Sequence, residues 1–220
     1  MGHRWRSMMA GLVLVTAVAC GGGGTEEDAV GPAPVTGQAG DQATARTIVL
    51  QQADMPSGWR GTPHTETPEE QARARAFSLC LGRSDPTPTR SATVYGPDLS
   101  NGQIQVSSVA TVLKTVEDAK ADLDAVRGPK YGDCVATALR EDLRRQAPDA
   151  RIEDVAVEPL PVEQFGDGSV GVRLTASLVY PDRTEKLFAD VVYMSKDRAT
   201  ASATFSSFAQ PFPATLQQSM

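Results

Sequence analysis

His64 is the one imidazole beyond the first twenty residues, so any general base, metal centre or Ser-His-Asp relay built on histidine has to use it. It stands in the stretch Thr62-Pro63-His64-Thr65-Glu66, with Glu66 and Glu70 as nearby carboxylates. A histidine-based metal set calls for a second imidazole or an H-x-x-x-H pair, and a hydrolase serine for a G-x-S-x-G elbow; neither occurs. Gly166-Asp167-Gly168-Ser169-Val170-Gly171 spells G-x-G-x-x-G. The dinucleotide version needs a strand before it and a helix after it, so that a helix N-terminus meets pyrophosphate. Here a strand pattern follows and Asp167 would repel that anion, so the segment reads as a turn entering a strand. Paired carboxylates stay open, because their separation is invisible in a sequence. The expectation is a non-enzymatic chain with no catalytic residue, no metal ligand, no cofactor and no assigned ligand-binding residue.

The three cysteines carry more information. Arg4 and Arg6 precede an apolar run from Met8 to Ala19 that is too short to span a bilayer and fits an export signal. Ala17-Val18-Ala19-Cys20 closes the run and admits two processings at one bond, an A-x-A signal-peptidase site or a lipobox. With its cysteine, the segment resembles a bacterial lipoprotein lipobox. That resemblance implies residues 1–19 as a signal peptide, Cys20 as the lipidated residue bearing a diacylglyceryl thioether and an N-acyl (palmitate-type) chain, and membrane attachment through that anchor. Cys80 and Cys134 then remain as a pair in an oxidising compartment, where a disulfide is the natural state. Helical spacing places Cys80 with Ala72, Ala76 and Leu79, and Cys134 with Tyr131, Val135, Ala138 and Leu139, so both sulfurs are expected to point coreward.

Charge narrows the partners. The chain of 220 residues has 21 Lys and Arg against 27 Asp and Glu, a net charge of −6. Loss of residues 1–19 removes Arg4, Arg6 and no acid, taking −6 to −8. A nucleic-acid partner is not expected, since a phosphate backbone is held by a basic excess. Residues 20–43, rich in Gly, Pro and acids, show no apolar period and read as a tether; 23 flexible residues after Cys20 would reach about 25 Å.

Residues 44–220 read as one domain. Helices are predicted over a short segment from Ala45 to Gln52, from Thr67-Pro68-Glu69-Glu70 to near Gly82, from Thr115 to Gly128, and from Tyr131 to Arg144. Glu141, Asp142, Arg144 and Arg145 read as a solvated face of the last. Ser91–Tyr95 and Gln103–Leu113 read as strands joined near Asn101-Gly102. After Pro148 the apolar period becomes two: Val170 to Tyr180, Leu187 to Met194 and Ala199 to Phe205 form an antiparallel meander. Pro211–Met220 reads as a terminal helical turn. The fold class is α+β, a twisted antiparallel sheet with helices packed on one face and one disulfide.

The lipobox, the acidic tether, Gln52-Ala53-Asp54-Met55-Pro56-Ser57-Gly58-Trp59, the Cys80/Cys134 pair and Phe205-Ser206-Ser207-Phe208 together resemble uncharacterised actinobacterial cell-envelope lipoproteins. More distantly they resemble the extracellular sensor domains of mycobacterial membrane serine/threonine kinases. The resemblance implies an exported, membrane-anchored domain on the extracytoplasmic side that binds or senses an envelope component, whether small ligand, lipid or glycan. The alternative is a module that docks on another envelope protein. Thr175, Ser177, Thr200, Ser202, Thr204 and Ser206 alternate with apolar residues, and read either as a hydroxyl-lined binding face or as ordinary solvent-facing strand positions.

Overall fold

The computed structural model describes residues 36–83, 89–208 and 210–212. Among them, four helices and eight strands follow the order α1 (Thr36–Ile48), β1 (Arg60–Thr62), α2 (Pro68–Cys80), β2 (Arg90–Tyr95), β3 (Asp98–Ser100), β4 (Ile104–Leu113), α3 (Val116–Arg127), α4 (Tyr131–Gln146), β5 (Arg151–Pro159), β6 (Gly168–Val179), β7 (Thr184–Lys196) and β8 (Ala199–Ser207). The strands form one antiparallel sheet in the order β1-β3-β4-β8-β7-β6-β5, with β2 also paired to β4. Short connections, residues 180–183 and 197–198, make β6, β7 and β8 a meander, while β8 pairs with β4 from the earlier half and welds the two halves together. The helix starts obey local chemistry. Thr67 Oγ1 accepts from Glu70 N while the Glu70 carboxylate accepts from Thr67 N, and Thr115 Oγ1 accepts from Asp118 N. Gly82, at φ +77°, follows the end of α2.

Helices α2, α3 and α4 cover one face of the sheet. Phe77, Leu123, Tyr131, Val135 and Leu139 close over Leu174, Leu178, Leu187 and Val191 in the larger core; each such side chain contributes about 1.5–3 kcal/mol of burial. The Cys80–Cys134 disulfide joins α2 to α4 across a Cα separation of 5.7 Å. The α+β class and the single bridge are as expected, but α1 lies on the opposite face. There Ala45 and Val49 pack on Ala110 and Val112. Next to them, Met55 and Trp59 meet Leu99, Val106, Phe205 and Phe212. The sheet is thus covered from both sides near β4 and β8.

Several local expectations are corrected. The helix expected from Ala45 begins at Thr36, so residues 36–43 of the expected tether are helical and part of the domain. Asp41 is tied to Arg198 and Ser91, which the Gly/Pro-rich composition did not reveal. Ala72, Ala76, Leu79 and Cys80 do not face the core: α2 buries Glu70, Ala74, Phe77 and Ser78, and Leu79 is 68% exposed. Phe77 has the largest apolar side chain on that helix and sets its rotation; Cys80 meets the buried Cys134 from the flank. Asp142 is buried between Arg73 and Arg145 rather than solvated. Burial pushes its carboxyl above the usual range, against the pull of the two guanidinium groups. Val116, whose spacing puts it on the apolar stripe of α3 with Ala119, Leu123 and Val126, stays half exposed at the helix start, while the other three are buried. Strand β5 was not foreseen, because Glu153, Asp154 and Glu158 interrupt its alternation and a bulge between Glu153 and Ala156 breaks its register. The signal peptide, Cys20 and residues 21–35 of the tether lie outside the described residues, as does most of the expected C-terminal turn.

Candidate functional site

The outer face carries a groove of about 990 Å³, at the upper end of the roughly 300–1,000 Å³ typical of small-molecule sites. Its floor follows from strand register. Val112 opposes Ala199, Met194 opposes Ala201 and Val192 opposes Ala203, and directly paired residues share a face. The alternation of β8 therefore puts alanines on this side, and small side chains on the floor leave depth above it. One wall is α1, through Thr44, Thr47 and Ile48. The other is the strap of residues 160–166, through Pro161, Val162 and Phe165.

The strap is held in place by backbone chemistry. Leu160 N donates to the Gly171 carbonyl at 2.9 Å, Asp167 N to Ser195 O at 2.8 Å and Gly168 N to Phe165 O at 3.0 Å. Phe165 N donates to Ser169 Oγ at 2.8 Å, and Asp197 N to the Asp167 carboxylate at 2.6 Å. This is the work of the Gly166–Gly171 segment. It forms a turn into β6, as read from its context, and each glycine has a packing reason. A β-carbon on Gly171 would meet the strap, one on Gly168 would meet Leu123 and Arg127 of α3, and Gly166 has φ +57° with Ser195 O against it.

Charges at the groove nearly cancel. Lys196 and Arg198 line it together with Asp41, Glu163 and Asp197. Arg198 donates through Nη2 to Asp41 Oδ1 at 2.7 Å, fastening α1 to the β7–β8 turn. Hydrogen bonds from Arg198 and Ser91 hold the Asp41 carboxyl below the usual carboxylate range.

His64 lies on the helix-covered side, with its side chain only 6% exposed. Its Nδ1 is 3.3 Å from Asp98 Oδ2, its Nε2 is 4.0 Å from Glu70 Oε2, and its ring stacks on Tyr95 at 4.9 Å between centroids. The Asp98 hydrogen bond, reinforced by the charges of Asp98, Glu70 and Glu66, outweighs burial and raises the imidazole pKa above its ordinary 6.5. Glu66 accepts from Tyr95 and Gln71, and does not join His64 at a common ion. Among the described residues no group of three His, Cys, Asp or Glu side chains could hold a metal. The cavity beside His64, which Ser107, Ser202 and Thr204 also line, has about 10 Å³ of space, room for roughly one water. His64 Nε2 has no hydrogen-bond partner among the described residues, so no hydroxyl is joined to it as a nucleophile would be.

The hydroxyl row on β8 is not solvent-facing: Thr200, Ser202, Thr204 and Ser206 are all buried, on the helix-covered side. Thr175 and Ser177 point to the other face, so the six residues form no continuous surface. The solvent-facing expectation for β8 fails because that strand is central and sandwiched. Sequence reasoning missed the groove altogether. Its walls come from segments about 120 residues apart, and only Phe165, an aromatic within the polar stretch Pro161-Val162-Glu163-Gln164-Phe165, was a local sign of it.

Fold and groove together define an α+β domain with a ligand-sized outer cleft. No protein-family model matches the chain, and no curated protein matches it in sequence. Among solved structures, the extracellular domain of PknH from Mycobacterium tuberculosis is similar at a TM-score of 0.44 and 9% identity, over 81% of this chain and 91% of that one. Protein PA94 of unknown function from Pseudomonas aeruginosa is similar at a TM-score of 0.22 and 16% identity, over 54% of this chain and 68% of that one. No helix among the described residues is long and apolar enough to cross a membrane.

Proposed function

We propose that the protein is an exported lipoprotein, anchored through a lipid on Cys20, whose domain binds the apolar part of an envelope amphiphile in the outer groove. The observation that carries this reading is the groove itself: about 990 Å³ over a floor of Val112, Val192, Met194, Ala199 and Ala201. An apolar chain laid there gains about 0.8 kcal/mol for each methylene removed from water. Opposite charges are nearly balanced among the lining residues, which favours a neutral or zwitterionic ligand over a strongly ionic one. The role is binding, without chemistry on the ligand.

Titration with dansylated undecanoic acid, used as its neutral methyl ester, tests the reading. The wild-type protein takes up the probe with a blue-shifted rise in emission, and Ala201→Trp, which fills the floor, abolishes it without unfolding the domain. Equal uptake by Ala201→Trp would remove the groove as the binding site. The anchor is tested separately: Cys20→Ser should move the protein from the membrane fraction to the soluble one.

A further inference from the structure

Among the described residues four large apolar side chains stand exposed: Ile48, Leu79, Val116 and Phe165. Two of them, Ile48 at 37% and Phe165 at 56%, line the groove, one on each wall. Phe165 is not carried on a slack loop. Its own N–H and carbonyl are bonded to Ser169 and Gly168, and the next turn is bonded to Ser195 and Asp197. A backbone this well tied presents the ring outward, where water solvates it poorly, and the pair extends the apolar lining of Val112, Val162, Val192 and Met194 up to the groove rim, an exposed apolar surface of the kind that marks an interaction site.

We propose that this rim is a membrane-docking face: Ile48 and Phe165 rest on a zwitterionic lipid surface, and the groove mouth opens onto it. The inference rests on the groove's taking an apolar chain, and it says from where the chain enters. Chain length supports a lipid surface as the occupant. Helix α1, which carries Ile48, begins at Thr36, sixteen residues after Cys20. Sixteen residues span at most about 55 Å when fully extended, so an anchor at Cys20 keeps this wall within reach of the bilayer. Charge selects the kind of surface. Glu163, Asp197 and Asp41 accompany Lys196 and Arg198 in the groove, and the chain is net acidic, so anionic headgroups gain no attraction here while zwitterionic ones pay no repulsion.

The test uses the mature chain from Cys20 onward, which lacks Trp5, in vesicles of phosphatidylcholine, with a tryptophan placed either at the rim, Phe165→Trp, or on α2 of the opposite face, Leu79→Trp. Trp59 is buried and provides a common background. With dibrominated phosphatidylcholine in the vesicles, emission from Trp at 165 should fall about twofold and shift to the blue, while that from Trp at 79 stays unchanged, as expected of an aromatic at the lipid interface. Equal quenching at the two positions, or none at 165, overturns the proposal. So does a lipid-free blue shift at 165 that grows with protein concentration, since the rim would then bind a second copy. If rim quenching is absent but Ala201→Trp still blocks uptake of the dansylated ester, docking fails and the groove reading stands. If Ala201→Trp has no effect on uptake, the groove reading fails whatever the quenching shows.

Discussion

Gly171 lies directly beneath Leu160: the Leu160 amide donates to the Gly171 carbonyl, and a β-carbon on Gly171 would sit 2.5 Å from Leu160 O and 2.7 Å from Val162 Cγ1. The absent side chain is what lets the strap lie flat on β6 and form the second wall of the groove. Backbone oxygen cannot swing aside as the end of a flexible side chain would, so Gly171→Val should lift the strap. The expected cost is about 1–3 kcal/mol, read as a lower midpoint in urea, together with weaker uptake of the dansylated ester. Wild-type uptake in a folded Gly171→Val protein would mean that the strap does not shape the site.

His64 makes stability depend on pH in a definite direction. Its folded pKa is raised, first by the Asp98 hydrogen bond and then by the charges of Asp98, Glu70 and Glu66; Tyr95 faces its ring and Arg73 approaches Glu70 from α2. A raised folded pKa means that the contribution is complete below the unfolded value of 6.5 and is lost as pH climbs through the folded value. Against His64→Gln, the wild-type protein should therefore hold an advantage of about 1 kcal/mol at pH 5.5, consistent with a charge-assisted hydrogen bond to a partly exposed carboxylate. The advantage should shrink at pH 9. Unfolding curves of the two proteins at both pH values check this, and a gap that widens with pH would contradict the direction.

Arg173 and Asp190 oppose each other on β6 and β7, and the guanidinium donates twice to the carboxylate, at 2.7 Å each. Asp190 is 1% exposed. Replacing the arginine by leucine strips this bidentate donor from a buried carboxylate, a loss of up to about 3 kcal/mol. Arg173→Leu with Asp190→Leu should recover part of that loss, because the double variant no longer buries the carboxylate. Chemical denaturation of the single and double variants measures it.

The disulfide closes a loop with a sequence separation of 54 and holds α2 on the helical layer. The chain-entropy model assigns such a loop about 4 kcal/mol. Cys80→Ala with Cys134→Ala should lower the stability by up to that amount. Limited proteolysis should then cut first around α2, which loses its covalent tie to α4 and turns Leu79 to solvent.

Much of the architecture was legible locally. The caps at Thr67 and Thr115, the stops at Gly82 and Gly128 and the alternation from Val170 to Phe205 each depend on neighbours within a few residues, and each element appears where its pattern stands. The pairing of Cys80 with Cys134 followed from counting. Other features depend on what lies opposite in space. The rotation of α2 follows Phe77 and the helical layer it enters, not the alanine spacing along the helix. The row Thr200, Ser202, Thr204 and Ser206 has the period of an exposed face, yet β4 and β7 flank its strand and His64 and Tyr95 close over Ser202 and Thr204. The first half of α1, ahead of the helix expected from Ala45, was hidden because it is held by Asp41 on Arg198 of the distant β7–β8 turn, a contact that leaves no mark on the composition of residues 36–43.

The linear order of residues determined the periodicities, the turns, the cysteine pairing and the α+β class, because hydrogen bonding and side-chain direction repeat over short distances along a chain. Only tertiary structure decided which faces are covered and where a groove remains. Burial is a property of two surfaces meeting, and the walls at Ile48 and Phe165 come together only after the sheet between them has formed.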